Sequence, residues 1–225
     1  MKRGGGRPTN GYYQADGTRV PSVTTITGHM KSAALIKWAY NRGRDGVELY
    51  GSRDEAAETG SIVHQWIEND LYGEPLQRYD EADSRRLAEA TQGYEAYRDW
   101  RGTVELDILE TEVPLVSETF GFGGTLDALA ILNGERCIFD WKTSNSTYPD
   151  YIAQVAAYRQ LVNEAYDTLG NGGPVERAFL LRVGKTYGDF HFHAWPSRVL
   201  DMGWEWFTAA KAIYELEKRL KAVAS

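Results

Sequence analysis

Between residues 121 and 158 the chain gathers two acids and a lysine suited to phosphodiester hydrolysis. Asp127 lies in FGGTLDALAIL, and Asp140 and Lys142 form D-W-K on the apolar run that follows. Hydrolysing a phosphodiester requires offsetting charge on the phosphate oxygens and making a hydroxide near neutral pH. One or two divalent cations held by carboxylates do both. The acids must then stand side by side, and Asn133-Gly134 provides for this. That dipeptide suits the positive φ values of a two-residue hairpin turn, and counting outward equally from it sets Asp127 opposite Asp140. Lys142, two residues further on, projects from the same strand face as Asp140. Its ammonium could orient or help deprotonate an attacking water and contact the scissile phosphate. Trp141 points the other way, and its backbone carbonyl is a further candidate oxygen ligand.

These residues need elements to position them. Residues 104–116, 122–132 and 135–141 read as three consecutive strands, followed by a helix over 150–169 that ends at Gly170. Strands over 176–184 and 187–195 meet at a short turn, and an amphipathic helix over 197–222 closes the chain. Upstream, GYYQADGTRVPSVTTI reads as a short hairpin turning at Asp16-Gly17, and helices are expected over 31–43, 53–72 and 80–100. In the second of these, Ile62, Val63, Trp66 and Ile67 form an apolar stripe, while His64 and Glu68, four apart, share another face. The order predicts an α/β (or α+β) fold with a central mixed sheet flanked by helices. Residues 1–10 read as a flexible basic tail. Residues 11–225 read as one domain, with a helical part over 31–101, a catalytic core over 104–195 and the C-terminal helix.

Composition removes several classes. With one cysteine, Cys137, the chain cannot build a disulfide framework, a four-cysteine zinc site or a cysteine-ligated iron–sulfur cluster. Set in the apolar run RCIFDW, Cys137 reads as a buried structural thiol. No apolar run approaches a membrane span, and MKRGGGRPTNG lacks the apolar segment of a secretion signal, so a cytoplasmic location without membrane contact is expected. A net charge of −7 argues against coating nucleic acid through the overall field, though not against a metal site whose cations neutralise its acids.

The motif set as a whole carries a resemblance. G-x-x-D at Gly124 to Asp127, D-x-K at Asp140 to Lys142 and Q-x-x-x-Y at Gln154 to Tyr158 resemble the RecB-type branch of the PD-(D/E)xK nucleases, as do PSVTTI at 21–26 and G-S-x-x-H at 60–64. The resemblance spans roughly residues 20–160 and implies a restriction-endonuclease-like core. It implies a metal-dependent DNA exonuclease, of phage-type recombination, repair or DNA processing, that leaves 5′-phosphate and 3′-hydroxyl ends. By the same resemblance His64, Asp127 and Asp140 hold one or two Mg²⁺ or Mn²⁺ ions, Lys142 is catalytic, and Gln154 and Tyr158 contact DNA or steady the site. Glu112 resembles an acid often found nearby. The four cysteines of the iron–sulfur members are missing, and no G-x-x-x-x-G-K-[ST] loop is present, so neither a cluster nor a nucleotide cofactor is implied. Linear single- or double-stranded DNA ends are the implied partner, with a single-strand annealing or recombination protein as companion. Two alternatives keep the same core: a structure-selective or sequence-specific endonuclease, and a non-catalytic DNA-binding or partner-docking module.

Several other residues have chemistry to offer. Ser22, Thr24 and Thr25 could donate hydrogen bonds to phosphate, and Arg182, Lys185, Lys2, Arg3 and Arg7 could track a nucleic-acid backbone. Ordinary charged surface would explain most of the latter. His191 and His193 alternate on one strand face at a spacing compatible with zinc, but without a third ligand they read as a solvated strand face. GFGGTL fails as a dinucleotide loop, because Leu126 stands where a glycine is needed and a strand follows.

Overall fold

The computed structural model describes residues 2–29, 37, 40, 41, 43–46, 49–76, 78, 84–144, 146–165, 173–183 and 190–224. Eight described strands are β1 (Lys2–Arg3), β2 (Tyr12–Tyr13), β3 (Arg19–Val20), β4 (Leu106–Ser117), β5 (Phe122–Leu132), β6 (Glu135–Thr143), β7 (Arg177–Val183) and β8 (Phe190–Trp195). Five described helices are α1 (Val23–His29), α2 (Leu49–Tyr72), α3 (Ser84–Arg101), α4 (Pro149–Glu164) and α5 (Ser197–Ala224). One mixed sheet runs in the order β1-β4-β5-β6-β7-β8, and β2 and β3 form a separate ribbon. The β1–β4 and β6–β7 pairs are parallel and the rest of the large sheet is antiparallel. The expected architecture is present: helices cover both faces, with α1, α4 and α5 on one and α2 and α3 on the other.

The Asn133-Gly134 turn forms as its residue types dictate, with φ of 49° and 83°. The hairpin register follows from it, pairing Leu132 with Glu135 through to Ala128 with Phe139. Alternation then sorts β6 between the layers: Cys137, Phe139 and Trp141 face α2 and α3, while Ile138 faces α1, α4 and α5. Cys137 is buried as expected, and burial pushes its thiol pKa up to about 12.

Two expectations are corrected. Lys2–Arg3 is not tail but strand: it pairs with Glu110–Thr111 on the open edge of β4, and Gly4 donates to the Thr111 carbonyl at 2.7 Å. A side chain at Gly4 would collide with the Glu112 carbonyl, so the glycines that suggested flexibility permit a close backbone approach. PSVTTI does not extend the hairpin. The ribbon ends at Val20, and Ser22 caps α1, its Oγ accepting the Thr25 backbone N–H at 3.0 Å. The β-branched residues fold as helix because Val23 and Ile26 are wholly buried against α4. The helix expected over 31–43, the turn between β7 and β8 and the loop after Gly170 fall largely or wholly outside the described residues.

Close packing of β5 on α4 fixes the site from below. A Cβ at Gly124 would lie 2.7 Å from Tyr158 Cε1 and 2.9 Å from Val23 Cγ2, whereas one at Gly5 would meet nothing within 4 Å. Gly124→Ala should therefore destabilise the protein by about 1–3 kcal/mol in urea unfolding, and Gly5→Ala should stay within about 0.5 kcal/mol of the parent. Equal stability of the two variants would contradict this packing.

Candidate active site

The sheet forks, and the two acids sit in the fork. Pairing of β5 with β6 stops at Ala128↔Phe139. Beyond that point β5 stays with β4, down to Phe122↔Ser117, and β6 stays with β7, from Asp140↔Leu180 to Thr143↔Val183. Asp127 and Asp140 are the first residues past the last shared pair, so the facing register read from the turn is right but no ladder bond joins them. Instead Asp127 Oδ2 accepts the Trp141 backbone N–H at 2.8 Å. β5 also changes face here. Phe122 and Leu126 lie in the core under α1, α4 and α5, while Ala128, Ala130 and Leu132 lie in the other core. Across from Asp127 on β4, Glu112 adopts a left-handed φ of 48°, a conformation uncommon for a residue with a side chain.

Because the sheet opens, both helical layers reach one point. From α2, His64 hydrogen-bonds the backbone carbonyl of Trp141, the same carbonyl considered above as a ligand. Glu68, one turn further, bears electrostatically on both His64 and Asp127. From α4, Gln154 Nε2 donates to Tyr158 Oη at 3.0 Å, and Tyr158, 4% exposed, feels the charges of Asp140 and Asp127. Its ring packs against β5 at Gly124.

At the centre, Lys142 Nζ lies 2.6 Å from Asp140 Oδ2, with side-chain exposures of 20% and 1%. The ammonium also lies 5.7 Å from the centroid of the Tyr151 ring on α4. Burial pushes the Asp140 carboxyl up to about 6, against the pull of Lys142 and with the help of Asp127. Asp127 is likewise raised, chiefly by burial, even though Lys142 and the Trp141 N–H favour its charge. For Lys142 burial pulls the pKa down, but the fields of Asp140 and Asp127 outweigh it and hold the ammonium above its ordinary value. His64 is held below its ordinary value by burial and then by Lys142. It is therefore neutral near pH 7, the form in which imidazole binds metal.

A divalent cation fits this donor set. Asp140 Oδ1 is buried and has no hydrogen-bond partner among the described residues, an unmet acceptor of the kind hard cations take. Among the described residues no three His, Cys, Asp or Glu side chains already converge in ligand geometry. Lys142 is the cation at Asp140 in this arrangement.

The other expected residues are dispersed. Ser22 is buried, with its hydroxyl within hydrogen-bond distance of both Thr24 Oγ1 and Thr25 Oγ1, while Thr24 and Thr25 are exposed on α1. Arg182 does not line the surface: it is 4% exposed and donates to the Ser144 carbonyl. Physically, the Lys142↔Arg182 pairing in β6–β7 carries it beneath the loop that follows β6. Lys185 lies outside the described residues. The sequence placed Glu68 on the face of His64 without giving it a role in the site, and did not single out Tyr151. The i, i+4 spacing of Glu68 from His64 was the available signal for the first; Tyr151, three residues before Gln154 on α4, had none.

No family model and no curated protein matches the chain. Among solved structures it is similar to a candidate exonuclease from Eubacterium rectale, at 15% identity and TM-score 0.44 over 66% of this chain and 63% of that one. The chain thus spans less than two thirds of that protein. It is also similar to an alkaline exonuclease from Laribacter hongkongensis, at 14% identity and TM-score 0.38 over 92% and 95% of the two chains. The dAMP complex of the same enzyme gives TM-score 0.37. At such identities the likeness concerns fold only, and TM-scores below 0.5 add no weight to it.

The burial of Asp140 has a measurable consequence. A carboxyl whose folded pKa exceeds its unfolded value of 3.8 stabilises the fold fully below about pH 4 and loses that contribution as pH rises through about 6. Metal-free protein should therefore lose stability across this window, and a divalent ion should restore it. Carboxyl-carbon NMR should place the Asp140 titration near 6 in the parent. In Lys142→Met it should move up by about one unit or more, because the favourable ammonium is gone. An unchanged or lower value would contradict the pairing.

Proposed function

We propose that the chain is a Mg²⁺- or Mn²⁺-dependent deoxyribonuclease that degrades DNA from its ends. The observation that carries this reading is the buried Asp140 carboxylate in the sheet fork, with one oxygen on Lys142, the other without a hydrogen-bond partner among the described residues, and Asp127 alongside. A pair of acids whose pKa values are raised chiefly by burial is a costly arrangement, and it is eased by binding a cation. Asp127, Asp140 and the neutral His64 would hold the metal, with Glu68 and Glu112 as nearby acids and the Trp141 carbonyl as an oxygen donor. When bound, a divalent ion supplies positive charge to the phosphate oxygens and lowers the pKa of an attacking water.

The remaining steps belong to the chain. Lys142 stays protonated at neutral pH, so it acts as a charge and hydrogen-bond donor rather than as a general base. Its ammonium would orient the attacking water and steady charge on the scissile phosphate. Tyr158, held as a neutral phenol by burial and the two acids and hydrogen-bonded by Gln154, would steady the β5 side of the site from beneath. In-line attack leaves a 5′-phosphate and a 3′-hydroxyl. Thr24 and Thr25, exposed on α1, and Lys185 are secondary candidates for holding DNA, whereas Ser22 and Arg182 are buried and serve the fold. A role in phage-type recombination or repair, beside a single-strand annealing protein, suits an end-directed nuclease.

Labelled linear single strands and duplexes, with a closed circular control, test this together. Cleavage should require Mg²⁺ or Mn²⁺ and spare the circle. Asp140→Ala and Lys142→Ala should each lose about a hundredfold or more, and His64→Ala should weaken Mn²⁺ affinity about tenfold or more in calorimetry. Cutting of the circle would favour an endonuclease on the same core. Digestion that proceeds in chelator, or undiminished in both variants, would end the nuclease reading.

A further inference from the structure

His191 and His193 stand beside the site's own residues. Across the sheet Asp140 pairs with Leu180 and Leu180 with His193, while Lys142 pairs with Arg182 and Arg182 with His191. Residues opposite one another in a ladder share a face. Both histidines therefore lie on the face of Asp140 and Lys142, two strands over, about 10 Å away across the sheet. Their rings are held in place. His193 Nε2 is 3.0 Å from Thr147 Oγ1, and its ring stacks between His191, at 6.1 Å and 15°, and Trp195, at 6.3 Å and 23°. His191 is exposed and His193 half-buried.

Among the described residues, the charged groups that shift His193 are His191 and Arg182. Burial holds His193 below its ordinary pKa, and the charges of His191 and Arg182 push it the same way. Among the described residues, the groups facing it are Arg182 from β7, Thr147 from the loop before α4, and His191 and Trp195 from its own strand, and none of these is a carboxylate. Arg182 is the fixed positive charge behind the pair, in a chain whose net charge is −7. Since Arg182 is buried, the histidines are the members that reach the surface.

We propose that His191 and His193, backed by Arg182, form a phosphate-binding row that carries the backbone of a DNA strand across the β7–β8 edge beside the scissile position. This rests on the nuclease reading above. A bound polyanion favours the imidazolium form, so the grip tightens as pH falls. Asp140, raised to about 6, also titrates within this window, so histidine variants, rather than a pH profile alone, decide the matter.

Fluorescence anisotropy of a labelled single strand in chelator, where cleavage stops, would compare the parent with H191Q/H193Q and H191K/H193K at about pH 5.5 and about pH 8. The parent should bind about tenfold tighter at the lower pH. The glutamine variant should lose most of that gain, and the lysine variant should bind tightly at both. If the glutamine variant keeps the parent's affinity and pH response while the parent still cleaves DNA in Mn²⁺, the row is a solvated strand edge and the inference is wrong, though the nuclease reading stands. If the parent neither binds nor cleaves, the nuclease reading fails and the inference fails with it.

Discussion

The ion pair between Asp140 and Lys142 is the constraint around which the rest of the site is arranged. Asp140 has no exposure to solvent, and its partner ammonium is only one-fifth exposed. Taking both out of water carries a desolvation penalty that mutual attraction repays only partly. The raised carboxyl pKa of about 6 is the sign that repayment is incomplete. Asp127 adds a second negative charge to the same space. One ammonium facing two carboxylates leaves the site short of positive charge, which a divalent ion would supply.

The fold builds this imbalance by opening the sheet. Had β5 and β6 paired along their whole length, Asp127 and Asp140 would be ordinary cross-strand neighbours and α2 would be confined to one face. With the pairing stopped at Ala128↔Phe139, the Asp127 carboxylate takes the Trp141 N–H. Through the same opening His64 reaches the Trp141 carbonyl from one helical layer, and Tyr158 approaches from the other. Gly124 is part of the device, since any side chain there would push Tyr158 away from β5.

Much of this was legible in the sequence because it depends on local chemistry. Asn133-Gly134 demands positive φ and so fixes the hairpin register; the D-W-K alternation then places Asp140 and Lys142 on one face. The helices at α2, α3, α4 and α5 follow from apolar spacing. What escaped depends on long-range fit. Lys2–Arg3 joins the sheet because β4, more than a hundred residues later, offers an open edge. V-T-T-I becomes helix because Ser22 caps it and α4 buries it, overriding β-branched preference. Arg182 reads as surface charge in sequence, yet β6 and the loop after it cover it. Glu68 could be placed on the face of His64, but nothing local said that this face meets Asp127 through a gap in a sheet.

Anomalous diffraction from crystals soaked in Mn²⁺ bears most directly on the site. The fork geometry requires a peak at about 2 Å from carboxylate oxygens of both Asp127 and Asp140, with Lys142 Nζ displaced from Asp140 Oδ2. A saturating soak that leaves the 2.6 Å Lys142–Asp140 pair intact, with no peak between the two acids, would contradict the account.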